Sequence, residues 1–266
     1  MNRIRTIGIA AFVLAVALAA AAGASGSANH TSETGTLQLD AAFSPRWQFG
    51  DYCAPGTPPT VRCVRFIGEA DVPGLGHATE TYVKTTETSS CLEVEQLRTA
   101  VITVKGKGEL YLSVPGPVCT PYAPWTVGPI DATITGGSKT YVGASGNVQF
   151  RSSVYVGNPG CGPCGRARDT WTGTLTVPGV DFDVTAPTLI GATSKSVRAP
   201  KKPKRVRVRF AVTASDATDG SVPVACTPPS GSFFSLGRTT VACSATDSSG
   251  NTGHAQFTVI VRRPRA

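Results

Sequence analysis

The chain has 266 residues, 41% of them apolar, which supplies packed cores and excludes a chain that is disordered throughout. Gly (29) and Pro (20) are frequent and Met occurs once, a balance suited to short strands joined by turns and not to long helices. The net charge of +8 is unevenly placed: residues 29–183 carry 11 Lys/Arg against 14 Asp/Glu, whereas residues 184–266 carry 12 against 3, so the positive charge belongs to the C-terminal third.

The N-terminus reads as an export signal. Arg3 and Arg5 precede an apolar run from Ile7 to Ala22, and small residues offer cleavage after Ala24 or after Ala28. The run is short for a spanning helix, and no later segment is apolar enough to span, so residues 1–28 are expected to be removed and no integral membrane segment to remain. The expected location is secreted and extracellular. All eight cysteines follow the signal, and their even number in an oxidising compartment predicts disulfides.

Residues 34–182 are expected to form a disulfide-containing antiparallel β-barrel. Short candidate strands fall at 34–43, 61–69, 80–85, 100–104, 109–114, 130–135, 146–155 and 171–177, and closing eight such strands removes exposed edges. Six cysteines in this region allow 15 pairings. The preferred one joins neighbours: Cys53 with Cys63, Cys91 with Cys119, and Cys161 with Cys164. Within 134–150, Gly136-Gly137 suits a tight turn with Tyr141 packed beside it, and Gly143-Ala144-Ser145-Gly146 follows. This hairpin resembles that of the allene oxide cyclase and dirigent β-barrels. The resemblance implies an apolar cavity that could take a small apolar ligand or host an isomerase, cyclase or dirigent-type activity; it carries over no catalytic residue.

Cys161-Gly162-Pro163-Cys164 equals the thioredoxin redox tetrapeptide, and a thiol–disulfide oxidoreductase is a further alternative. That chemistry needs a helix after the motif, and a β-like run leading from Arg166 through Trp171 follows instead, which favours a structural disulfide. Zinc would need a second Cys/His pair, and His30, His77 and His254 stand apart. There is no Gly-x-Ser-x-Gly elbow, phosphate loop or His-Glu-x-x-His sequence, so no catalytic residue, cofactor or metal is assigned.

Residues 183–266 are expected to form an Ig-like β-sandwich. Strands are expected at 206–214, 221–226, 239–245 and 255–261, separated by turns at 215–220, 227–231 and 247–251. Cys226 and Cys243, 17 positions apart, are expected to pair, which in the chain-entropy account contributes about 3 kcal/mol. Asp219, Asp247 and Asn251 are read as residues that hydrogen-bond their own turns; a calcium site from Asp216, Asp219 and Asp247 is the lesser alternative, because the three lack the fixed ligand spacing of a calcium loop. The run from Asp183 to Pro187, Asp216 with Asp219-Gly220, Val222 to Phe233, Phe234 to Asn251 and Phe257 to Val261 together resemble the hyalin-repeat (HYR) domain. That resemblance implies an extracellular binding or adhesion module.

One stretch departs from the HYR pattern. Lys195, Arg198, Lys201, Lys202, Lys204, Arg205, Arg207 and Arg209 lie within fifteen positions with no acid among them. From Arg205 the alternation places Val206, Val208 and Phe210 toward a core and the arginines toward solvent. Such a face keeps edges from associating, or binds an extracellular or cell-wall anionic polymer or protein. Nucleic acid is the least favoured partner, since the stretch has no aromatic residues to stack on bases. The sequence therefore reads as an all-β, secreted, non-catalytic binding or adhesion protein.

Overall fold

The computed structural model describes residues 35–49, 52, 53, 55–57, 61–87, 94–115, 117–119, 125–155, 166–202 and 205–263. The first part is an antiparallel β-barrel of eight strands. β1 (Thr36–Phe43) and β2 (Arg46–Phe49) flank Ser44-Pro45, where proline can donate no ladder hydrogen bond. They act as one bent strand: β1 pairs with β10 (Arg166–Thr176), and β2 pairs with β3 (Val61–Val72). β4 (Gly76–Glu87), β5 (Val94–Val104) and β6 (Gly108–Ser113) follow as a meander. The short β7 (Pro117–Cys119) also pairs with β5. β8 (Trp125–Gly137) and β9 (Gly146–Tyr155) complete the ring, and β9 closes on β10 from Arg166↔Tyr155 to Gly173↔Val148.

Alternation along the strands builds the barrel core. Leu37, Leu39, Ala41 and Phe43 point in from β1, and Val148, Phe150 and Val154 from β9. The glycine pair in the 134–150 hairpin does a different job from the one expected. Gly136 and Gly137 end β8, paired with Tyr111 and Leu110, and a one-turn 3-10 helix (Lys139–Tyr141) makes the reversal. A side chain at Gly137 would meet the Glu109 carbonyl at 2.5 Å and Tyr141 at 2.6 Å, so close approach is what requires glycine there. Tyr141 is buried beside it, as expected, and burial pushes its phenol up to about 12. After β10 the chain continues over the barrel end: Val177 and Phe182 join its core, and Gly35 N–H bonds the Val180 carbonyl.

The second part packs small sheets face to face. β11 (Thr188–Ile190), β14 (Thr213–Asp216) and β15 (Gly220–Val222) form one; β12 (Lys195–Arg198), β16 (Ala225–Thr227), β18 (Gly237–Thr246) and β19 (Thr252–Arg262) form the other. β13 (Arg205–Arg207) and β17 (Phe233–Ser235) make a two-stranded ribbon. Val241, Phe257, Val259, Val261, Val208 and Phe234 fill the space between. Two expected strands are shorter than the sequence suggested. The 221–226 run breaks at Pro223, and its halves join different sheets. In the 206–214 run the regular strand ends at Arg207; Val208 still donates to the Ser232 carbonyl and accepts from the Gly231 N–H, and at Phe210 the Ser230 hydroxyl takes over, receiving the Phe210 N–H and donating to the Phe210 carbonyl. The inward frame survives, with Val208 buried and Val206 and Phe210 packed against the core.

Cys226 and Cys243 sit directly opposite each other on β16 and β18 and are bridged, with Cα atoms 4.0 Å apart. Cys53 and Cys63 are also bridged, as expected. Cys91, Cys161 and Cys164 lie outside the described residues, as do the export segment 1–28 and Lys204. No helix among the described residues is long and apolar enough to cross a membrane.

The barrel turn after β3 lies against the turn at 247–251. Gly250 has φ +83°, and a side chain there would come within 2.5 Å of the Val72 carbonyl. Gly250→Ala is therefore expected to destabilise the protein by about 1–3 kcal/mol, read from the denaturant midpoint, since left-handed strain and backbone overlap act together.

Candidate functional sites

Three groupings of polar side chains stand out, and the basic stretch comes first. β12 is an edge strand of its sheet and β13 is paired only with β17. Arg198, Lys201, Lys202, Arg205, Arg207 and Arg209 are all exposed, and Lys195 is half-buried. Parallel pairing sets Arg198 beside Arg262, and the Arg198 guanidinium donates to the Arg263 carbonyl. Arg238, Arg262 and Arg263 are likewise exposed, so the basic surface extends onto β18 and β19. The fold also adds an aromatic ring: Phe233 on β17 is 58% exposed, with the guanidinium carbons of Arg205 and Arg207 5.8 and 5.2 Å from its centre. The ribbon register Arg207↔Phe233 brings these residues together, and that pairing is not visible in local sequence.

The second grouping is inside the barrel. β4 turns Ala78, Glu80, Tyr82 and Lys84 inward, and β10 turns Ala167, Asp169 and Trp171 inward. Trp171 Nε1–H donates to Glu80 Oε2 (2.6 Å), Tyr82 O–H to Asp169 Oδ2 (2.6 Å), and Ser152 O–H to Asp169 Oδ1 (2.5 Å). Burial, then the neighbouring Asp169 charge, pushes the Glu80 carboxyl well above its ordinary range. Burial also raises Asp169, against the pull of the hydrogen bonds from Glu80, Ser152 and Tyr82 and the charge of Lys84. Burial and the two carboxylates hold the Tyr82 phenol well above its ordinary value.

Rings surround the carboxyl pair. Phe66 stacks on Tyr82 with centroids 4.7 Å apart, Phe150 lies 4.3 Å from Trp171, and Trp47 meets Phe66 edge-on. Glu80, Asp169 and Trp171 expose no surface, so no water-sized space adjoins them. The group is built to clamp β4 to β10 across the barrel interior.

The third grouping is acidic. Asp219 is committed to Ser248, accepting from its N–H (2.7 Å) and its hydroxyl (2.8 Å), which hold its carboxyl below the usual value. In its place the fold brings Asp183 to Asp216 and Asp247, and one carboxylate oxygen from each lies within 4.8 Å of the others. Asp183 lies 33 positions before Asp216, a separation that turn spacing could not join.

The architecture is thus an all-β chain, a closed barrel followed by small sheets around a disulfide. Residues 182–261 match the HYR domain family. The second part is therefore an HYR domain, a module that suggests extracellular adhesion, and the disulfides are consistent with that setting. No curated protein and no solved structure matches the chain. The barrel carries no assigned family.

Proposed function

We propose that this is an extracellular adhesion-type protein that holds an anionic polysaccharide, such as an acidic cell-wall glycopolymer, against the basic surface of its HYR domain. The observation that carries the reading is the exposure of Arg198, Lys201, Lys202, Arg205, Arg207 and Arg209 in a domain with only four acids, Asp183, Asp216, Asp219 and Asp247. Counter-charges that would neutralise a merely structural surface are few, and the positive field is free to act on a partner. Phe233 adds an apolar ring flanked by two guanidinium groups, which suits a polymer that alternates sugar faces with anionic groups; a single ring gives no track for successive bases.

The same residues also shield the β12 edge from pairing with another chain. Retention on a matrix of acidic polysaccharide separates the two roles. The chain is expected to bind at low ionic strength and to elute as salt rises, and replacing Arg205, Arg207 and Arg209 with Gln is expected to bring elution to markedly lower salt. Retention equal to that of the Gln variant would leave only edge protection. Preferential binding to anionic vesicles or to DNA would name a different partner.

The cyclase or dirigent-type reading of the barrel rests on the 134–150 hairpin. The filled space around Glu80, Asp169 and Trp171 favours the binding reading over it.

A further inference from the structure

Asp183, Asp216 and Asp247 reach one point from three separate places: the connection after the barrel, the end of β14 and the turn after β18. Each has one oxygen fixed by backbone N–H groups. Thr185 donates to Asp183 Oδ1 (3.0 Å), Thr218 and Asp219 to Asp216 Oδ1 (2.8 and 3.1 Å), and Ser249 and Asn251 to Asp247 Oδ1 (2.9 and 2.8 Å). The Asn251 amide donates to Asp247 Oδ2 and to the Asp183 carbonyl. Two oxygens remain: Asp183 Oδ2 and Asp216 Oδ2 are shut off from solvent and have no hydrogen-bond partner. No Lys or Arg forms an ion pair with the three among the described residues. Desolvated, unpaired carboxylate oxygens placed beside a third carboxylate are costly unless a cation joins them.

We propose that these three carboxylates form a calcium site. The donors are all oxygen, which selects a hard cation over zinc. Calcium binds oxygens at roughly 2.3–2.6 Å, so ligands on opposite sides of one ion lie about 4.8 Å apart. The three oxygens fit within that sphere. Magnesium requires tighter octahedral ligands at about 2.0–2.1 Å and keeps most of its water. Backbone carbonyls and water complete a calcium shell. The ion would tie the connection after the barrel to both sheets of the HYR domain. It would do so next to the 247–251 turn that the barrel touches, so binding orders the junction as well as the domain.

The test uses the full chain, stripped with EDTA and then titrated with calcium chloride, with calorimetry and thermal unfolding as readouts. A dissociation constant of about 10⁻⁴–10⁻³ M is expected, as in extracellular modules, with a midpoint raised by roughly 2–5 °C near 10 mM calcium. Asp183→Asn with Asp216→Asn keeps the backbone hydrogen bonds and is expected to abolish both signals while leaving the EDTA-state midpoint unchanged or higher. Asp219→Asn is expected to keep the calcium response. If the double variant does not fold, Asp183→Asn alone is expected to weaken binding at least tenfold. No heat and no shift in the wild type, or an undiminished response in the Asn variants, would overturn the site. An equal response to magnesium would overturn the choice of calcium.

Discussion

Trp171→Ala is expected to lower the stability of the barrel by about 3–5 kcal/mol, the range for removing a fully buried aromatic side chain. The ring exposes no surface, lies 4.3 Å from Phe150, and supplies the N–H that satisfies Glu80 Oε2. Alanine leaves a void and a buried acceptor without its donor, and both effects act in one direction. Trp171→Phe separates them: it restores most of the volume and leaves the acceptor bare, with an expected loss of about 1–3 kcal/mol. Denaturant unfolding of the three proteins reads both terms. If Trp171→Ala changed stability by less than about 1 kcal/mol, the packed interior described above would be wrong.

The second large effect concerns pH. Burial and Asp169 raise the Glu80 carboxyl above its ordinary value near 4.5, so the folded barrel retains a proton that the unfolded chain releases. The sign follows directly. Below the ordinary value both states are protonated and the group is neutral in the balance; as pH rises above it the unfolded state gains by ionising, and stability falls until the folded carboxyl ionises too. Asp169, also raised, contributes in the same direction. Glu80→Gln mimics the protonated acid, with an oxygen for the Trp171 N–H and an amide N–H for Asp169. The variant is expected to match the wild type near pH 4, to exceed it on the order of 1–3 kcal/mol by pH 8, and to show a flatter profile between. Parallel profiles for the two proteins would show that Glu80 is ionised in the folded barrel.

Why the sequence hid this pair can be stated for each strand. In β10, Ala167, Asp169, Trp171 and Leu175 share one face by period two, while Arg166, Arg168, Thr170, Thr172 and Thr174 share the other. Asp169 therefore lies in the apolar frame, and that signal was legible. In β4 the frames are Ala78, Glu80, Tyr82 and Lys84 against Thr79, Thr81, Val83 and Thr85, and neither is clearly apolar. The structure buries the face with the charges, because Trp171, Tyr82 and Ser152 supply partners that lie far apart along the chain.

The basic surface was legible because Arg205, Arg207 and Arg209 alternate with apolar residues and keep their outward direction even where the ladder ends. Phe233 and Arg262 joined it through strand pairing, which sequence spacing does not encode. The acidic cluster was half legible: Asp216 and Asp247 belong to it, Asp219 turns to Ser248, and Asp183 arrives through the sandwich fold. The disulfide between Cys226 and Cys243 was legible from two cysteines 17 positions apart on strands flanking one turn, and the structure sets them opposite each other on β16 and β18.

The adhesion reading is tested most directly by the salt dependence of binding to a soluble acidic polysaccharide, compared between the wild type and the protein with Arg205, Arg207 and Arg209 changed to Gln. Wild-type affinity is expected to fall steeply between about 50 and 300 mM salt, and the variant to bind more weakly with a shallower slope, because fewer screened charges take part. Equal affinity and equal slope for the two proteins would contradict it.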